Sequence, residues 1–89
     1  MRRHRCTALI DRAEARLAAG EVEAACADAE DALVIAGDTE HAENLSRVEK
    51  FARTALTSRT HQYQSRQLWQ HVLMSKAEAH RTFARRGTD

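Results

Sequence analysis

The sequence predicts an all-α protein in which a helical hairpin is followed by two further helices. Three observations lead there. Pro is absent from all 89 residues, so nothing in the chain breaks a long helix. Ala, the strongest helix former, occurs 17 times against 15 for Leu, Ile, Val and Phe together, which fits close-packed helices around a thin core. Apolar residues recur at steps of three and four rather than by alternation. The length suits a single domain spanning residues 1–89, with the narrow stability margin of a small one. Few large apolar residues can also mark disorder, but usually with a high net charge, and here the net charge is +1.

The first helix is expected from about residue 7 to 19. Leu9, Ala13 and Leu17 form its stripe, with Cys6 and Ile10 beside it. Gly20 ends it by taking the left-handed conformation that a glycine adopts without strain. The second helix follows at once. Glu21 and Glu23 suit its first turn, and Val22, Ala25, Cys26, Ala29, Ala32, Leu33 and Ala36 make an amphipathic stripe. Gly37 is its expected stop, so the hairpin covers residues 7–37. Asp38 or Thr39 is the expected cap of a third helix over residues 38–57, with Leu45, Val48, Ala52, Ala55 and Leu56 facing inward and Phe51 alongside. Thr57-Ser58-Arg59-Thr60 is the expected break. A fourth helix over residues 64–84 then places Leu68, Trp69, Val72 and Leu73 on one face, and the end from about Arg85 is expected to fray.

The charge is segregated. From Glu21 to Glu43 there are eight acids and no Lys or Arg; from Asn44 onward there are nine basic residues and three acids. The acidic segment either meets basic groups, in this chain or another, or is ordinary solvated surface. Asp28, Glu30 and Asp31 read most simply as solvated residues on an exposed helix. Cys6 and Cys26 make no disulfide framework and read as small buried hydrophobes in a reducing compartment. No apolar run reaches the length of a membrane span. The basic start is followed by only Thr7-Ala8-Leu9-Ile10 before Asp11, which is no signal-peptide core. The expected setting is cytoplasmic, without a membrane.

The run Leu17-Ala18-Ala19-Gly20-Glu21-Val22-Glu23-Ala24-Ala25, followed by Ala29, Ala32 and Leu33, resembles a tetratricopeptide repeat, in which a tight Gly turn joins two antiparallel helices. Ala13, Ala25 and Ala32 match the family's small positions and Gly20 its turn glycine. Departures are Leu9 for the usual aromatic, Ala29 for a bulky residue, Gly37 for the closing proline, and Arg12 and Arg16 where apolar residues are usual. Arg47 stands where a second repeat would carry a small residue. More broadly, Thr7 to Ala13, Leu17 to Glu21, Ala24-Ala25-Cys26, Ala32-Leu33, Arg47-Val48 to Leu56 and Ser65 to Leu73 are similar to the C-terminal part of actinobacterial helix-turn-helix (XRE-type) transcriptional regulators. The resemblance implies a protein- or peptide-binding module whose concave face is lined by first-helix residues, here Ile10, Asp11 and Glu14. Since repeats stabilise one another, either the two further helices cap the hairpin in a four-helix arrangement, or the exposed first-helix face is covered by a homodimer partner or a larger regulator.

Chemistry for other functions is missing from the pattern. His4, His41, His61, His71 and His80 form no pair at the i, i+3 or i, i+4 spacing that seats a metal on one helix face. The three glycines are isolated, so there is no phosphate loop, and no nucleophile elbow is present. No enzyme and no cofactor are expected. Arg2, Arg3 and Arg5, with Arg81, Arg85 and Arg86 at the other end, could touch phosphates, but no nucleic-acid-binding motif accompanies them and basic ends more often solubilise than bind. Trp69 either anchors a partner or packs in the core. The Gln-rich stretch 62–70 has no assignable chemistry. The expected function is a non-enzymatic interaction module; the alternatives are a structural or truncated helical dimer without ligand and a small basic-ended nucleic-acid binder.

Overall fold

A computed structural model describes residues 2–39, 42–57 and 62–87, and these form an all-α fold of four helices. They are α1 (Arg2–Ala18), α2 (Val22–Thr39), α3 (Ala42–Leu56) and α4 (Gln62–Gly87). The α1–α2 turn is built as its glycine requires. Gly20 takes φ +83°; its N–H donates to the Leu17 carbonyl at 3.0 Å and the Glu21 N–H to the Arg16 carbonyl at 2.8 Å. This crossed pair is a Schellman stop, satisfying carbonyls that the helix end leaves open. The Glu21 carbonyl then accepts the Ala25 N–H at 2.9 Å, so only Ala19, Gly20 and Glu21 separate the two helices.

Several boundaries differ from the sequence expectation. The first helix starts at Arg2 rather than near residue 7; no Gly or Pro intervenes, and burial of Cys6 and Ile10 holds this first stretch on the core. Gly37 does not end α2, whose backbone continues to Thr39. The helical cost of one Gly, about 1 kcal/mol, is small beside the burial of the turn before it. The backbone of Asp38 and Thr39 therefore belongs to α2, α3 begins at Ala42, and the cap expected from their side chains lies outside the described residues. The α3–α4 break follows Leu56, with residues 58–61 outside those described, and α4 runs from Gln62 through Arg85 to Gly87.

Contacts between named atoms fix the helix directions. Cys6 at the start of α1 meets Ala32 late in α2, and Arg12 meets Asp28, so α1 and α2 are antiparallel. Cys26 meets Ser65 and Glu30 meets His71, so α2 and α4 run parallel. Glu49 meets Lys76 while Arg53 lies over Trp69, so α3 and α4 are antiparallel. It follows that α1 and α3 point the same way. The result is two antiparallel hairpins laid side by side: α1 beside α3 in one layer, α2 beside α4 in the other, with α2 also touching α3 and, among the described residues, no contact between α1 and α4. The slab measures 47 × 27 × 14 Å.

The core lies between the layers. Cys6, Ile10 and Ala13 meet Val22, Ala25, Ala29, Ala32 and Leu33; Val48, Phe51, Ala52 and Ala55 continue it, and Leu68 and Val72 close it from α4. Leu73, expected on this face, is 47% exposed, because α4 is covered only along the flanks that meet α2 and α3. Ser65 takes an inner position instead, fully buried with its hydroxyl 3.9 Å from the Cys26 sulfur. Both cysteines are free and buried, and burial pushes both thiols above their ordinary pKa. Among the described residues no helix is long and apolar enough to cross a membrane.

A Cβ on Gly20 would meet no atom within 4 Å, so Gly20→Ala carries the left-handed backbone penalty alone, about 1–2 kcal/mol. The expected outcome is a melting temperature lowered by about 5–10 °C, read by circular dichroism. An unchanged melt would mean that the turn does not hold this conformation.

Candidate interaction surfaces

Three charged or apolar surfaces follow from this stacking. The first is the face shared by α1 and α3. Asp11 and Glu14 are three apart on α1 and so project from one side of it. Arg47 reaches across from α3 and donates from Nη2 to Asp11 Oδ1 at 2.9 Å and to Glu14 Oε1 at 2.6 Å. The hydrogen bond to Asp11, then that to Glu14, raises the pKa of the Arg47 guanidinium despite some desolvation. The carboxylates stay open to solvent, with side chains 64% and 55% exposed. Of the residues expected to line this face, Asp11 and Glu14 come together there. Ile10 lies in the core at 1% exposure and presents no surface.

The second surface is the outer flank of the first hairpin. Asp28 lies two residues from Cys26 and two from Glu30, both of which meet α4, so it falls on the opposite side of α2. There Arg12 grips it with two bonds, Nε to Oδ2 at 2.9 Å and Nη2 to Oδ1 at 2.8 Å, and Arg16 adds Nη1 to Oδ2 at 3.1 Å. Asp28 is buried, at 3% exposure, and is not a solvated residue of an exposed acidic cluster as its neighbours suggested. The bidentate fork is the strongest geometry available to an Arg–carboxylate pair, and the hydrogen bond raises the pKa of Arg12. Arg12 and Arg16 thus close this flank by charge.

The third surface lies where α4 meets its neighbours. On the α3 side, Glu49 accepts from Lys76 Nζ at 2.9 Å and Arg53 Nη2 at 3.0 Å. The Lys76 bond chiefly holds the Glu49 carboxyl below its usual range, so whatever this carboxylate adds to stability is present at neutral pH and lost as pH falls through the depressed value. Arg53 lies 5.8 Å from the centroid of Trp69, a cation–π distance. Trp69 is half-buried, packed on the core with its ring covered in part by that guanidinium. On the α2 side, Glu30, Asp31, Leu33, Val34, His71 and Met74 line an open groove of about 410 Å³. Val34 and Met74 are 65% and 68% exposed, and His71 Nδ1 pairs with Glu30 across the groove at 2.7 Å.

Among the described residues no group of three or more His, Cys, Asp or Glu side chains could hold a metal ion. No family model, curated protein or solved structure matches this chain. The residues that sequence reasoning missed are Asp28 and Arg47. Arg12 and Asp28 each stand eight residues from Gly20, so an antiparallel hairpin centred there brings them together, and that symmetry was the available signal.

Replacing Asp28 by Ala removes three hydrogen bonds to charged donors and should cost about 1–3 kcal/mol. Replacing the neighbouring, exposed Asp31 by Ala should change stability by less than about 0.5 kcal/mol. Urea denaturation of the two variants separates them; equal effects would show that the Arg12–Asp28–Arg16 clamp is not structural.

Proposed function

We propose that this chain is a non-enzymatic protein- or peptide-interaction module of tetratricopeptide type, related to the C-terminal sensing or oligomerisation part of a bacterial XRE-type regulator. The observation that carries this reading is the stacking of two hairpins as a repeat: α1 beside and parallel to α3, α2 beside and parallel to α4, with no contact between α1 and α4 among the described residues. Elements related in this way form an open face rather than a closed bundle, and helical-repeat proteins bind along such faces. The sequence pattern around Gly20 points the same way.

On this reading the α1–α3 face is the binding surface. Asp11 and Glu14 oppose a single guanidinium, Arg47, so the cluster keeps one negative charge in excess and favours a basic segment of a partner. Trp69, partly exposed at the far edge of α3–α4, is available as an aromatic anchor. With binding confined to side chains already in place, neither a cofactor nor a covalent step is required.

Removing both carboxylates leaves Arg47 unopposed and reverses the sign of the face. The double variant Asp11→Ala, Glu14→Ala should bind a synthetic Lys- and Leu-containing peptide about tenfold more weakly than wild type at low salt, measured by fluorescence anisotropy. Equal affinity would remove this face from the proposal.

A further inference from the structure

The opposite layer, formed by α2 and α4, carries a surface that the α1–α3 reading does not use. Its groove has an apolar floor and lip, Leu33, Val34 and Met74, and acids on its α2 wall, Glu30 and Asp31. The whole of α2 holds no Lys or Arg. The same chain carries a complementary element. With Glu30 level with His71 and the helices parallel, the end of α2 at Thr39 falls level with about residue 80 of α4, so roughly 10 Å of α4 runs on beyond it. Residues 79–88 contain Arg81, Arg85, Arg86 and the apolar Phe83, and no acid. Arg81 is well exposed, 65%, and bonded to Glu78 at 2.8 Å.

We propose that the occupant of the α2–α4 groove is a second copy of this chain. The α4 helices of two copies lie antiparallel, each laying its basic end against the acidic α2 wall of the other, with Met74 and Val34 of both copies in the seam. Charge complementarity selects this occupant: one molecule holds both the acidic, apolar-lipped groove and the basic helix end that fits it. The antiparallel arrangement also keeps the two basic ends apart. The contact is isologous, so it closes at a dimer. This surface lies on the layer opposite Asp11 and Glu14, and the dimer stands or falls independently of peptide binding at the α1–α3 face.

Sedimentation equilibrium of the full chain tests this, at low and at high salt. Wild type should form dimers that weaken as salt rises. Asp31→Arg and Arg81→Glu should each weaken dimerisation by about tenfold, and Met74→Glu should give monomer, with helical circular dichroism retained since all three side chains are exposed. Mixing the Asp31→Arg chain with the Arg81→Glu chain should restore dimers as a heterodimer, because both cross-contacts then pair opposite charges. Wild type that stays monomeric at about 0.5 mM and low salt overturns the proposal. So does a dimer indifferent to these substitutions, or a mixture of the two charge variants that fails to recombine.

Discussion

Small residues on α2 set the distance at which everything else in this chain must pack. Ala25, Ala29, Ala32 and Ala36 occupy the face that a larger protein would fill with Leu or Ile, and all four are buried. With so little side chain between the helices, the Cys6 thiol of α1 comes within 3.4 Å of the Ala32 carbonyl oxygen on α2. A seam this close draws on many short-range contacts rather than a few large ones. It also explains why a chain with few bulky apolar residues still has a continuous core: α2 touches each of the other helices, and Leu68, Val48 and Phe51 need only close around it.

Charge does the work at the margins that the thin core leaves open. On one flank Arg12 and Arg16 hold the buried Asp28; between the hairpins Arg47 ties α3 to α1; at the far edge Lys76 and Arg53 share Glu49. The segregated charge of the sequence is thus spent partly inside the molecule. The partially exposed pairs are each worth little, but they fix which helix face meets which. Asp31 is exposed on α2 and adds to the negative sign of that side.

Much of this was legible in the sequence. The Gly20 turn, the α2 stripe and the inward face of α3 follow from glycine chemistry and helical spacing, and the buried residues Val22, Ala25, Cys26, Ala29, Ala32 and Leu33 are those the spacing selects. Gly37 misled because a glycine ends a helix only where the chain has reason to turn, and Ala36 is still buried beside it. Leu73 misled because periodicity says which residues share a face, not how much of that face is covered. Asp28 and Arg47 were hidden for a different reason. A carboxylate reads as surface until its cation is placed: Arg12 and Asp28 could be paired only through their symmetry about Gly20, and Arg47 lies 36 and 33 residues from its partners Asp11 and Glu14. The candidate interface was legible in part: Asp11 and Glu14 do meet on one face, whereas Ile10 is in the core.

If α2 is the element on which the others depend, its amides should open only with the whole molecule. Native-state hydrogen exchange followed by NMR measures this directly. The account predicts that the amides of Ala25 to Ala36 are the slowest in the chain and that their opening free energy equals that of global unfolding. Exchange of α2 faster than that of α3 and α4 would contradict it, and would place the stable nucleus in the second hairpin instead.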